Sequence, residues 1–245
     1  MNPTPVPFVP LPDDIVIREP EVFVHPDFTN GDPTLDMNEI SFFKKNGFLV
    51  KTGLLKEAHE TFAKIIDYAW DSVPHGLLKR DDPTTWLCGP NEEWTEEDAA
   101  TVGPLTRDGW KFRSRGVIGS ESLFVDGIAN HPHMRELIGK FIGDPVRHPR
   151  RVRGVYMQLP KGPDVEENLG PHADGTTAHL SAMVLIDNIA PHCGGFTVWP
   201  GSHRLLHPHY TTVFGNKRHP DKEGAWAEAR NEAIGDITPV EFPGK

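Results

Sequence analysis

The chain has 245 residues, a formal net charge of −10 at pH 7, 37% apolar residues and 24% charged residues. These values predict a single soluble globular domain with a substantial core. They also argue against a nucleic-acid partner, because the chain has no basic surplus to neutralise phosphates.

The sequence carries no targeting or membrane signal. Its first residues, Met-Asn-Pro-Thr-Pro-Val-Pro-Phe, lack the basic start and apolar core of a signal peptide, and no apolar run approaches the length of a membrane span. Two cysteines, Cys88 and Cys193, can form at most one bridge, which is no disulfide framework. We therefore expect a soluble, cytoplasmic protein without a membrane partner.

The sequence of the N-terminal half predicts an extended arm that is followed by helices. Residues 1–35 are rich in proline and predict an arm preceding a domain at 36–245. Capping residues and helical spacing of apolar residues predict helices at 36–46, 54–70 and 132–142. Residues 48–50 read as a strand, and residues 122–128 fit a strand or a helix equally well.

The C-terminal half predicts strands. Apolar runs punctuated by Gly, Pro and Asn indicate strands at 152–159, 180–186 and 196–199, before a short helix at 225–233. Helices followed by strands predict a mainly β protein with flanking helices (α+β). We expect the helices to pack on one face of an antiparallel sandwich or jelly roll.

Two further stretches invite a functional interpretation. Residues 71–109 form a long irregular segment followed by Trp110, and such segments are often binding loops or lids. Tryptophans that merely anchor a loop are an equally good explanation. The arginine cluster at 147–153 is the one basic stretch, and a short run of this kind favours a solvated strand entry.

The chemistry of the chain centres on His172 and Asp174. Residues i and i+2 of a strand point to the same face, so these side chains would present an imidazole and a carboxylate together. With a second histidine they would form a 2-His-1-carboxylate triad. That ligand set leaves coordination positions open and is typical of non-haem Fe(II) oxygenases.

The surrounding motifs resemble the phytanoyl-CoA dioxygenase family of Fe(II)/2-oxoglutarate-dependent oxygenases. The resemblance rests on His172-x-Asp174, on the apolar strand that follows, and on Gly194-Gly-Phe-Thr-Val-Trp-Pro-Gly-Ser-His-Arg204. The segments at 42–50 and 131–145 also resemble the family. Together the similar stretches span roughly residues 36 to 245.

The resemblance implies a double-stranded β-helix (jelly-roll) core that binds Fe(II), 2-oxoglutarate and O2. Substrate hydroxylation would accompany release of succinate and CO2. His172 and Asp174 match two iron ligands, and Gln158 and Thr197 are candidate contacts of 2-oxoglutarate, although strand alternation leaves open whether Thr197 or Phe196 points inward. A small-molecule substrate is expected to meet Trp110 and Arg115.

The resemblance also implies that part of the site follows residue 245. In the family the second iron-binding histidine, and the cation that pairs with the far carboxylate of 2-oxoglutarate, come after a turn that would begin at residues 242–245. The domain would then be incomplete at its C-terminus. Within the chain, His203 matches a turn residue of the family, and His207 and His209 fall in a predicted loop. The other histidines after Asp174 are His179, His192 and His219.

Two other functions fit the same residues. One is a non-catalytic relative that binds a small acid without oxidative turnover. The other is a cupin-like isomerase or hydrolase that uses a different metal on the same jelly-roll core. The oligomeric state and the identity of the substrate are not indicated by the sequence.

Overall fold

The computed structural model describes residues 14–26, 31–71, 79–86, 119–152, 180–210 and 224–243, together with Pro12, Phe28, Met157 and Pro171. The chain divides into two compact units. The first unit comprises Met1–Phe28, Asp36–Val50 and Pro171–Lys245, and the second comprises Thr29–Leu35 and Lys51–Gly170. Both units therefore combine stretches that are distant in sequence.

The elements, in chain order, are β1 (Glu21–Val22), α1 (Met37–Asn46), a 3-10 turn (Lys56–Ala58), α2 (His59–Asp71), a second 3-10 turn (Pro83–Trp86), α3 (Ser122–Phe124), a π-helical turn (Val125–Ala129), α4 (Pro132–Ile142), β2 (Phe196–Val198), α5 (Ser202–Tyr210), α6 (Gly224–Asp236) and β3 (Val240–Phe242).

The prediction of a mainly β, jelly-roll fold with helices on one face is wrong. The described residues are mostly helical, and they contain a single small sheet of three strands in the order β1-β3-β2. Residues 48–50 and 180–186 lie in neither a helix nor a strand, and most of 152–159 lies outside the described residues. An apolar run predicts burial, but a strand forms only where a neighbour offers backbone hydrogen-bond partners.

The predicted helices are confirmed, with small shifts at their ends. In α1 the Asp36 carboxylate accepts from the Glu39 amide (2.8 Å), and Glu39 accepts from the Asp36 amide (2.9 Å), which forms a capping box. The undecided segment 122–128 is helical, and α6 is longer than its predicted span. No helix of the described ranges is long and apolar enough to cross a lipid bilayer.

Half-buried aromatic side chains cluster around the buried Phe242 in the first unit, whose other buried apolar residues include Ala229, Ala233 and Ile234 of α6. The ring of Phe23 lies edge-on to the rings of Phe48 and Phe242, at centroid distances of 5.6 and 5.1 Å. Phe42 of α1 contacts Phe48 in the same way at 5.3 Å. Edge-to-face pairs add a directional attraction to the area they bury, so they link the N-terminal arm, α1 and β3.

Mostly aliphatic side chains, together with Phe124, form the core of the second unit. They come from the stretch before α2, from α2 itself, from α3 with its π-helical turn, and from α4. The buried apolar residues are Leu54, Leu55, Ala58, Ile65, Ala69, Phe124, Val125, Ile128, Met134 and Leu137. The helical spacing of these residues in the sequence is what allows one face of each helix to reach this core.

A glycine at the end of α1 allows close contact with the segment after β2. Gly47 has φ +81° and donates its amide to the Phe43 carbonyl at 2.7 Å, which ends the helix. A Cβ atom at Gly47 would lie 2.3 Å from Nδ1 of His203. The Gly201 amide also donates to the Asn46 carbonyl (2.8 Å), so the end of α1 holds the turn that follows β2.

We predict that Gly47→Ala destabilises the protein by more than the ~1–2 kcal/mol of a left-handed alanine, because the methyl group would also collide with His203. Gly53→Ala is the matched control: φ is +68° and the nearest atom, Cα of Gly31, lies at 3.5 Å. Urea unfolding of both variants measures the difference. Equal losses in the two variants would show that the contact with His203 does not matter.

Candidate functional site

Most of the predicted site residues lie outside the described residues. This holds for the two predicted iron ligands, for one of the two predicted 2-oxoglutarate contacts and for both predicted substrate contacts: His172, Asp174, Gln158, Trp110 and Arg115. Thr197 is described, and it lies in the middle of β2 opposite Glu241 of β3. The alternative residue, Phe196, is 45% exposed and stacks on Phe242.

Glu241 holds the turn that leads into β2. Its side chain is almost completely buried, with a residue exposure of 3%. Oε2 accepts from the His192 amide at 2.8 Å, and Oε1 accepts from the Gly195 amide at 2.9 Å. Each carboxylate oxygen therefore accepts from a different backbone amide of the same turn. These two hydrogen bonds form the Glu241 clamp, which fixes the start of β2.

The backbone of this turn is left-handed at one histidine and one glycine. His192 has φ +61° and Gly194 has φ +86°, so the backbone enters the left-handed region twice. A Cβ atom at Gly195 would lie 2.7 Å from the Phe242 carbonyl oxygen and 2.8 Å from Cγ of Glu241. The double glycine of the motif thus permits β3 to approach β2 closely.

Thr197 presents its hydroxyl beside this clamp. Residues that pair across two strands point to the same face of the sheet, so Thr197 and Glu241 share a face. The hydroxyl donates to the Gly195 carbonyl at 3.3 Å, a long and therefore weak hydrogen bond. A better acceptor, such as a carboxylate, would compete readily for this donor.

His203 lies in the first turn of α5 and contacts the end of α1. Its Nε2 donates to the Lys44 carbonyl at 3.3 Å, and Nδ1 faces Gly47. Burial lowers the pKa of His203. The hydrogen bond to the Lys44 carbonyl raises this pKa and the Arg204 charge lowers it. The net pKa is below its ordinary value, so the ring is mostly neutral at pH 7. The resemblance implies a turn residue at this position, whereas His203 is the second residue of α5.

The remaining described histidines do not form a metal centre with their neighbours. His207 and His209 lie on α5, so the prediction that they occupy a loop is wrong. His192 lies in the clamped turn, where Nδ1 is 3.5 Å from Oε2 of Glu241. Within the described ranges, no three His, Cys, Asp or Glu side chains are grouped closely enough to hold a metal ion.

A second pair of titratable groups lies in the second unit. The Tyr68 hydroxyl on α2 donates to Oε1 of Glu121 at 2.7 Å. Burial, the hydrogen bond and the negative charge of Glu121 raise the pKa of Tyr68 to about 12. Burial also raises the pKa of Glu121, but the hydrogen bond from Tyr68 and the nearness of backbone amides outweigh it, and the net pKa is below its ordinary value.

Sequence reasoning missed both glutamates. Alternation along Val240-Glu241-Phe242 places Glu241 on the opposite face from two apolar residues, which predicts a solvated carboxylate. The carboxylate is buried because a turn almost 50 residues earlier in the chain covers it. Glu121 precedes the segment whose type the sequence left open, so no pattern indicated its partner.

We predict that Glu241→Ala destabilises the protein by about 2–4 kcal/mol, because two amides of the turn lose their acceptors. Glu241→Gln keeps one oxygen and should lose less. Glu228→Ala, an exposed change of the same charge in the same unit, is the control. Urea unfolding reports the values, and an unaltered midpoint for Glu241→Ala would show that the clamp is energetically unimportant.

We predict that Tyr68→Phe lowers stability by about 1–3 kcal/mol near neutral pH. Because the folded-state pKa of Glu121 is lowered, its contribution is present above the unfolded-state pKa and disappears as the pH falls through the folded-state pKa. The gap between wild type and variant should therefore close in acid. Unfolding measured from neutral to acidic pH tests this, and a constant gap would contradict it.

No protein-family model matches the chain, and no solved structure matches it at a significant level.

Proposed function

We propose that the protein is an Fe(II)- and 2-oxoglutarate-dependent dioxygenase that hydroxylates a small organic substrate, with release of succinate and CO2. The observation that carries the proposal is the pairing, in one chain, of His172-x-Asp174 with the Gly194–Arg204 segment. Neither motif is specific alone. Their order and spacing are those that the resemblance to the dioxygenase family rests on.

The donor set of His172 and Asp174 fits iron. A neutral imidazole nitrogen and a carboxylate oxygen are ligands that Fe(II) accepts while keeping positions open for a co-substrate and O2. When bound, the iron would supply the O2 activation that couples decarboxylation of 2-oxoglutarate to hydroxylation. The protein would supply binding, orientation and exclusion of water.

Contacts within the first unit support a role for Thr197 in binding 2-oxoglutarate. The strand β2 pairs with β3, and the Glu241 clamp holds its start. Just after β2, the Gly201 amide donates a hydrogen bond to the Asn46 carbonyl. A hydroxyl on a strand fixed at both ends is preorganised for a carboxylate. Gln158, which lies outside the described residues, stays a separate predicted contact of 2-oxoglutarate.

The proposed substrate contacts are Trp110 and Arg115. An indole offers an apolar surface, and a guanidinium offers paired donors to an anionic group. A cytoplasmic location is part of the proposal. The exposed thiol of Cys193, which forms no disulfide within the described ranges, supports it because free thiols are typical of a reducing compartment.

We predict that the complete protein, given Fe(II), ascorbate, O2 and 2-oxoglutarate, releases succinate. His172→Ala and Asp174→Ala should each lower this rate by about 100-fold or more, because loss of a ligand weakens metal binding at least as much as loss of an outer partner does. His59→Ala, an exposed histidine on α2, is the control and should leave the rate unchanged.

The same samples separate the rival functions. Binding of 2-oxoglutarate without succinate release would identify a non-catalytic acid-binding protein. Metal binding that does not respond to 2-oxoglutarate would indicate a cupin-like enzyme of another type. Either result, or equal rates in wild type and the two ligand variants, would overturn the dioxygenase proposal.

A further inference from the structure

Residues 146–152 form an exposed basic loop in an acidic chain. Arg147, Arg150 and Arg151 are all exposed, as is His148 between them. No Asp or Glu occurs in the sequence between Asp144 and Asp164, whereas the chain as a whole carries a charge of −10. The positive charge is therefore concentrated locally and is not part of a mixed surface.

Three hydrogen bonds to its backbone and one to the side chain of His148 hold this basic loop. Arg135 of α4 donates Nη2 to the Val146 carbonyl at 2.7 Å. Asn130 donates Nδ2 to the Pro149 carbonyl at 3.2 Å and accepts from Nδ1 of His148 at 3.1 Å. The Val152 amide donates to the Gly119 carbonyl at 2.8 Å. A loop anchored in this way presents its arginines from fixed positions.

Nothing in the described part of the chain neutralises these arginines. None of the three forms an ion pair or a side-chain hydrogen bond there, and the acid nearest on α4, Glu136, lies 3.9 Å from Lys140 instead. Arg135 adds a further positive charge, and its Nη1 is buried without a hydrogen-bond partner among the described residues. Like charges on a fixed loop repel one another, and a bound anion would turn that repulsion into attraction.

We propose that the basic loop at 146–152 is a binding site for a small ligand that carries several phosphate groups. Guanidinium groups bind phosphate oxygens through two parallel hydrogen bonds, which ammonium groups cannot do. Arg147 and Arg151 are four residues apart, so their Cα atoms lie within about 14 Å of each other. That distance suits a compact polyanion. A long nucleic acid would extend beyond this loop onto the rest of the chain, whose net negative charge would repel it.

Calorimetric titration of the full chain with inorganic tripolyphosphate tests this site. We expect binding at low salt that weakens as salt is added, because exposed charges are screened. The triple change Arg147→Gln, Arg150→Gln and Arg151→Gln should weaken binding by about tenfold or more. The matched control, Lys45→Gln, Lys56→Gln and Lys64→Gln, removes three exposed positive charges elsewhere and should bind as wild type does.

The single variant Arg150→Glu keeps the test valid if the triple variant folds poorly, and it should also weaken binding. Nucleoside triphosphate in place of tripolyphosphate shows whether a base contributes to affinity. Absence of binding at low salt, or equal weakening in the control, would overturn the proposal. Stronger binding of an acidic polypeptide than of tripolyphosphate would also overturn it, because the site would then be a protein-docking surface.

Discussion

The first unit depends on the hydrogen bonds that the buried Glu241 carboxylate accepts from two backbone amides. A carboxyl group on a residue that is only 3% exposed needs hydrogen-bond partners, and the amides of His192 and Gly195 are those partners here. Because β3 is the central strand of the sheet, the same residue joins the clamped turn to both neighbours of β3. One side chain therefore couples three stretches of chain that are far apart in sequence.

This coupling has a consequence for the proposed 2-oxoglutarate contact. A strand of three residues such as β2 has little stability of its own, because each residue contributes few ladder hydrogen bonds. It is held by the clamp before it and by α1 after it, where Gly201 and His203 contact the end of the helix. The position of Thr197 is thus decided by residues that would never touch the ligand.

Charge is distributed unevenly in this acidic chain. Several carboxylates are buried or hydrogen-bonded, including Glu39 at the start of α1, Glu121 and Glu241. The arginines at 147–151, in contrast, are exposed and unpaired within the described ranges. Net charge argues against a nucleic-acid partner as an expectation from the sequence, but it does not reveal a local basic loop. Local recognition depends on which charges remain accessible after folding.

The sequence by itself determined the helices and the candidate chemistry. Helical spacing and capping residues such as Asp36 and Gly47 act within a few residues, so α1, α2 and α4 were predictable. Only the tertiary structure decided the sheet, because a strand needs a partner that the local sequence does not specify. Residues 180–186 pair with no strand among the described residues, whereas β2 pairs with β3. The burial of Glu241 was decided in the same way, since its two amide donors lie almost 50 residues away in the chain.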